Sequence, residues 1–332
     1  MKRKSFVLFA LATSFVFSRV FMGALMQSHA DEAKRLKVYC SNFPSYDFAK
    51  HVAGDVADVE LLLKPGAESH AFEPTPEDMK NILAGDLLLC AGGENEQWID
   101  QLALRSNLEK PIQVYRMTEM VETLDEEIVE GMDETEHEHH HHHHHHEEAE
   151  HDHEHEVDEH VWVSPKNAEV IVARIAERMA ELDPSHASEF EANAKAYQKE
   201  IHALDQKFED LVSRAKIKTL LVGDRFPLRY FVEAYGLKYY AAFPGCSTQT
   251  ECSAQTLAYL VEKAKVESLP VVLHMELNEG RIAQAIADAS GVKVLEFNSC
   301  HNVSREEFEA GESYVSLMER NLPVLEEALA CE

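Results

Sequence analysis

DPSHASEFEANAKAYQKEIHALDQKFEDLVS, residues 183–213, carries the pattern that decides the architecture. Its apolar side chains Phe190, Ala194, Tyr197, Ile201, Leu204, Phe208 and Leu211 recur at alternating spacings of 4 and 3, which lines one face of an α-helix. Asp183-Pro184-Ser185 supplies a helix start. The stripe is shorter than four heptads and its flanking charges are mixed, so it does not read as a coiled coil. It predicts one rigid helix of about 30 residues, ~45 Å long at 1.5 Å per residue.

Short β-rich runs lie on both sides of this rod. Before it come Lys37–Cys40, Val59–Leu63, Asp86–Cys90 and Ile112–Tyr115; after it come Lys218–Val222, Lys238–Ala242, Pro270–Met275 and Val292–Phe297. Most are continuously apolar, as in parallel strands covered on both faces. Helical patterns separate them, among them Pro76–Leu83, Thr256–Lys265 and Glu279–Ala289. The expectation is an α/β protein of two Rossmann-like βα lobes joined by one long rigid helix. The boundaries expected are 31–182 for the first lobe, 183–215 for the linking helix and 216–332 for the second lobe.

Composition narrows the function. The chain has 332 residues, 60 acidic and 31 basic, for a formal charge of −29. A nucleic-acid binder would need a basic face, so none is expected as a partner. Residues 1–30 read as an export signal: Lys2, Arg3 and Lys4, an apolar run from Phe6, then Ser28-His29-Ala30 before Asp31. Arg19 interrupts the apolar run, which disfavours a permanent membrane span. Bulky Val38-Tyr39 before Cys40 disfavours lipidation there. The mature chain is therefore expected to be periplasmic or otherwise extracytoplasmic, soluble and monomeric. Six cysteines without a CxxC pair permit disulfides and allow 15 pairings.

The acidity is concentrated. Residues 121–160 hold 17 Asp/Glu, no Lys/Arg and 13 of the 20 histidines. Within the loop expected over 121–158, residues 135–155 carry His137, His139, His140, His141, His142, His143, His144, His145, His146, His151, His153 and His155. The tract has no apolar period and cannot build a core. Imidazoles bind Zn²⁺, Cu²⁺ and Ni²⁺, and the carboxylates between them concentrate cations, so it reads as an auxiliary metal-collecting loop. It contains a formal HExxH at residues 137–141, but that motif works only on a packed helix.

Four further positions sit at strand–helix junctions, where ligands gather in open α/β sheets. His70 lies in Gly66-Ala67-Glu68-Ser69-His70-Ala71-Phe72-Glu73-Pro74-Thr75-Pro76-Glu77-Asp78; His160 lies in Asp158-Glu159-His160-Val161-Trp162-Val163-Ser164-Pro165. Asp224 follows the first strand of the second lobe in Val222-Gly223-Asp224-Arg225-Phe226-Pro227, and His301 follows its last strand in Asn298-Ser299-Cys300-His301-Asn302. Glu276, just past another strand, is a weaker candidate.

These segments resemble the zinc- and manganese-binding solute receptors of ABC transporters, the ZnuA/TroA type. Ser69 to Asp78 is similar to that family's P-H-x-[YF]-E-P-[ST]-P-x-D, and Glu159 to Pro165 to its D-P-H-x-W-x-x-P. Phe43-Pro44-Ser45-Tyr46-Asp47 and residues 314–322, YVSLMERNL, fit its start and end. The resemblance covers almost all of 36–330, and a histidine-rich acidic loop before the second motif is characteristic of the zinc-selective members. It implies a binding protein, not an enzyme, that captures Zn²⁺ as transported ligand and delivers it to an ABC-transporter membrane permease. His70 and His160 match its first and second ligands. The family's third ligand sits in a stretch like H-D-A-F-G-Y-F; residues 223–231 lack the histidine, which leaves Asp224. His301 falls near the fourth position, with Cys300 beside it. Some members staple the second lobe with a disulfide, which suggests a Cys246–Cys300 pair, with Cys252 as the competing partner. Three alternatives stand beside this reading: a manganese or iron receptor of the same family, a zinc-storage protein in which the tract alone matters, and a zinc hydrolase. No packed HExxH, G-x-S-x-G, or H-x-E with P-C-x-x-C supports the last.

Overall fold

A computed structural model describes residues 35–67, 72–93, 96–100, 112–132, 157–247 and 251–332. The export signal, His70 and the histidine tract lie outside these. Residues 36–332 form one compact unit.

The first lobe contains β1 (Leu36–Cys40), α1 (Phe43–Ala53), β2 (Ala57–Leu61), α2 (Pro76–Leu83), β3 (Leu87–Cys90) and β4 (Gln113–Arg116). All pairings are parallel, in the order β2-β1-β3-β4. The inner strands β1 and β3 are the apolar ones, and β3 is buried along its whole length. Thr75 starts α2 with a capping box: its hydroxyl accepts from Asp78 N and Asp78 accepts from Thr75 N.

Two helices follow, α3 (Pro165–Leu182) and α4 (Ala187–Ser213). Asp183 accepts from Ser185 N, and a 3₁₀ turn at Pro184–His186 leads into α4. Its 27 residues span about 40 Å. Every residue of the apolar stripe read from sequence is buried, and Asp205 and Val212 join it.

The second lobe holds β5 (Thr219–Phe226), α5 (Arg229–Tyr235), β6 (Lys238–Pro244), α6 (Ala254–Val266), β7 (Val271–Met275), α7 (Arg281–Ser290) and β8 (Lys293–Phe297). Its sheet runs β6-β5-β7-β8, again parallel, repeating the order of the first. Three short helices, α8 (Arg305–Ala310), α9 (Tyr314–Glu319) and α10 (Asn321–Ala328), close the chain. β5 is longer than expected: it passes through Asp224 with an irregular register between Val222 and Arg225. Asp224 therefore lies within a strand, not beyond it.

One apolar core runs through both lobes. Leu87 and Leu89 of β3, Val172 and Ile175 of α3, Phe208 of α4, Leu273 of β7 and Tyr314 and Leu325 near the C-terminus belong to it. Smaller clusters cover the outer face of each sheet. Burying an aromatic such as Phe208 contributes about 3–5 kcal/mol relative to alanine, so the linking helix is a structural spine for both sheets. No helix among the described residues is long and apolar enough to cross a membrane.

No disulfide joins Cys246 to Cys300, which corrects the expected bridge. The Cys300 thiol is buried and aimed at the Tyr314 carbonyl at 3.9 Å. Cys246 instead sits in the turn after β6, its N–H donating to Glu126 at 2.7 Å. Cys40 and Cys90 are fully buried, and loss of water raises the pKa of both thiols, as for inert core cysteines.

Candidate metal centre

The segment before α3 builds half of the site. Asp158 Oδ1 accepts from the His160 N–H at 2.8 Å and stands 2.9 Å from His160 Nδ1. A carboxylate on Nδ1 fixes ring and tautomer and leaves Nε2 for an electrophile. Tyr230 anchors the same turn by donating its hydroxyl to the Asp158 carbonyl at 2.8 Å. His160 is completely buried. Burial disfavours its imidazolium form, but Asp158, Glu159 and Glu126 outweigh that and raise its pKa. Glu159 packs on Gly93, where an added Cβ would fall 1.5 Å from its Oε2, so only glycine admits this approach.

The loop after β8 builds the other half. Asn321 brackets Asn298, accepting from its N–H and donating to its carbonyl, both at 2.8 Å. Asn298 in turn accepts from Cys300 N at 2.8 Å, which holds Cys300 in a left-handed conformation, φ +59°. Glu276 accepts from Ser299 N at 2.7 Å, Ser299 Oγ at 2.8 Å and His301 N at 2.9 Å. Burial pushes the Glu276 carboxyl up to about 7 despite these donors. The loop delivers His301 against the first half: its ring centroid lies 5.2 Å from that of His160 and 5.1 Å from that of Trp162.

Two hydrogen bonds lock the halves together. Trp162 Nε1 donates to the Ser299 carbonyl at 2.9 Å, and the Tyr314 hydroxyl donates to the Trp162 carbonyl at 2.8 Å. The loop that leads to His70 is tied in as well. Asn302 Nδ2 donates to the Lys64 and Ala67 carbonyls at 3.0 and 2.8 Å, and Gly66 N donates to the Val303 carbonyl at 2.7 Å. Gly66 and Ala67 line the same cavity as Asp224, Glu276 and His301, about 680 Å³ in volume.

Glu159, His160 and His301 each present one ligand atom, all within 4.8 Å of one another. Two imidazoles and a carboxylate suit a borderline divalent ion. Sequence reading selected His160 and His301; it quoted Glu159 without selecting it. Asp224 lines the cavity but is otherwise engaged. Its oxygens accept from Arg225 N at 2.9 Å, Asn278 Nδ2 at 2.8 Å and Met275 N at 3.1 Å, bracing β5 to the end of β7. It stands outside the group of three. Asp158, quoted beside His160 but not selected, and Glu126 orient and polarise His160. For Glu126 the signal was the acidity of residues 121–160, which marks a region and not a contact.

The stems of the histidine tract reach this centre. An isolated antiparallel bridge joins Asp125 to Val157, and Asp158 N donates to the Leu124 carbonyl at 3.0 Å. The tract residues that carry its histidines lie outside the described residues.

Comparison with known proteins places the chain. A family profile described as zinc-uptake complex component A, periplasmic, matches residues 38–328. The zinc-binding lipoprotein AdcA of Streptococcus pneumoniae is 32% identical over 327 residues, 98% of this chain and 61% of that protein, so the chain spans about three-fifths of that relative. The high-affinity zinc uptake system protein ZnuA of Bacillus subtilis is 30% identical over 323 residues, 97% of each chain. The Zn(II)-bound ZnuA-like domain of S. pneumoniae AdcA superposes with a TM-score of 0.70 at 28% identity, covering 89% of this chain and 99% of that one. The chain is a member of the ZnuA family.

Proposed function

We propose that the protein is an extracytoplasmic receptor that captures Zn²⁺ between its two lobes and hands it to the membrane permease of an ABC transporter, without turnover chemistry. One observation carries this reading: a first-lobe imidazole, His160, and a second-lobe imidazole, His301, converge with ring centroids 5.2 Å apart beside Glu159. Family membership supports it, as do the names of a zinc-binding relative in Streptococcus pneumoniae and a zinc-uptake relative in Bacillus subtilis.

In this reading His160 and His301 are ligands and His70 is a third. Ala67, three residues before His70 in the chain, is tied through its carbonyl to Asn302, the sequence neighbour of His301. Glu159 completes the set or adds field. Asp158, Glu159 and Glu126 give the pocket a negative potential that draws a cation in and keeps His160 basic. The bound ion cross-links the lobes. Because one core runs through both lobes, release comes from local displacement of the ligand-bearing loops, not from wide hinge opening. The histidine tract gathers metal, and residues 1–30 direct export.

Zinc titration of single variants tests this. His70→Ala, His160→Ala and His301→Ala should each lose the tight site, while Asp224→Ala should lower stability and keep it. Deleting 135–155 should leave one tight Zn²⁺ site. Full affinity in His160→Ala would refute the assignment. Loss of all binding on deletion would make the chain a storage protein, and preference for Mn²⁺ over Zn²⁺ in competition would change the cargo.

A further inference from the structure

Away from the cleft, α3 and α4 bring a second set of ligand-type side chains together. Glu169 on α3 and His202 and Asp205 on α4 each offer one ligand atom, all within 4.8 Å of one another. His202 and Asp205 are three residues apart and share a face of α4. His202 Nδ1 stands 3.0 Å from Glu169 Oε1 across the helix pair. These residues line an open groove of about 540 Å³.

Two of the three ligands are held from behind. Asp205, only 5% exposed, accepts the Tyr235 hydroxyl on Oδ1 at 2.7 Å, which directs its other oxygen elsewhere. Gln206 Nε2 meets His202 Nε2 at 3.1 Å and fixes the ring so that Nδ1 faces Glu169. The two cations lining the same groove are engaged by other carboxylates, Lys166 by Glu209 at 2.7 Å and Arg174 by Glu177 at 2.9 Å. Outer contacts of this kind orient the ligands of metal centres.

We infer that Glu169, His202 and Asp205 form a second divalent-cation site, separate from the cleft, that takes Zn²⁺ or a neighbouring late first-row ion such as Cu²⁺ or Ni²⁺. One imidazole with two carboxylates suits these ions, and the open groove admits water to the remaining coordination positions. Without the ion, the Gln206 amide donates to Nε2, so Nδ1 carries the proton and donates it to Glu169. When the ion takes Nδ1, that proton leaves to solvent, Nε2 takes one up, and the Gln206 amide turns its oxygen toward the new N–H. The ring stays neutral and no net proton is released. The ion would clip α3 to α4, the two helices between the sheets. None of this depends on the function proposed for the cleft.

Diethyl pyrocarbonate labelling of the full chain, read by peptide mass spectrometry, tests the site. The reagent attacks an unprotonated ring nitrogen. Nε2 of His202 is therefore reactive without metal and blocked when the ion holds Nδ1. His202 is 56% exposed, so the reagent reaches it. With Zn²⁺ in excess of the other histidines, His202 labelling should fall about tenfold or more relative to chelated protein. Asp205→Asn, Glu169→Gln and Tyr235→Phe should each raise the zinc needed for half-protection by about 10–100-fold. Diffraction at the zinc edge should place an anomalous peak among the three side chains. Equal labelling of His202 with and without zinc overturns the proposal, as does undiminished protection in folded Asp205→Asn and Glu169→Gln. If the variants misfold, labelling and anomalous diffraction of the wild-type chain decide alone.

Discussion

Replacing Trp162 by phenylalanine should damage folding and zinc capture together. The indole N–H donates to the Ser299 carbonyl at 2.9 Å, and Ser299 is 2% exposed, so no water replaces the lost donor. An orphaned buried acceptor costs about 1–3 kcal/mol. The smaller ring also leaves a void beside His301, whose ring lies 5.1 Å from that of Trp162. At ~24 cal/mol per Å³ of residual cavity, that adds about 1 kcal/mol. The total of ~2–4 kcal/mol is a large share of the 5–15 kcal/mol typical of a folded protein. Because Trp162 supports one imidazole and follows the other by two residues, zinc affinity should fall by about tenfold or more. Urea unfolding of the metal-free chain and competitive zinc titration measure the two effects. Tyr314→Phe removes the reciprocal bond to the Trp162 carbonyl. The double variant should therefore deviate from additivity by at least ~0.5 kcal/mol. A Trp162→Phe protein within ~0.5 kcal/mol of wild type, with unchanged zinc affinity, would refute the idea that this latch holds the site.

Three further outcomes follow from the geometry. Burial lowers the pKa of His160, but Asp158 and its acidic neighbours raise it overall; since zinc must displace a proton, affinity should begin to fall as pH drops while still above ~6.5. In Asp158→Asn the fall should shift to lower pH and the plateau affinity should drop about 10–100-fold, read as a pH series of zinc titrations. His51 stacks on Tyr197 with centroids 3.7 Å apart and contacts Asp47; burial alone would lower its pKa, but the Asp47 interactions raise it. Its folded pKa thus exceeds its unfolded one, so its contribution to stability is complete below ~6.5 and fades as pH rises through the folded value. The urea midpoint of His51→Gln should lack that slope. Phe208→Ala, which empties the middle of the shared core, should cost about 3–5 kcal/mol in the same unfolding assay.

Residues distant in sequence meet at the site, and that sets what could be read in advance. All eight strands appear close to the β-rich runs read from sequence, and the inner ones were the most legible because a strand covered on both faces is apolar, as β3 is along its whole length. Helix α2 matches its expected limits, since Thr75, Pro76 and Asp78 set its start through local bonds. The end of β5 was misplaced: Gly223 and Asp224 read as a loop, yet pairing with β6 carries the strand to Phe226. The family resemblance suggested a Cys246–Cys300 pair, but the left-handed Cys300 backbone turns the thiol into the core.

What the sequence alone determined was local and periodic: the linking helix from its 4-and-3 stripe, the strands from their apolar runs, and the ligand-type histidines from residue chemistry at strand–helix junctions. Tertiary structure decided which of those groups meet. The Trp162–Ser299 and Tyr314–Trp162 bonds bring His160 to His301 across more than a hundred residues of chain. The register of β5 commits Asp224 to backbone donors of its own lobe. A side chain's chemistry is fixed by its covalent structure, but its partners depend on how separate segments pack, and no local pattern encodes that distance.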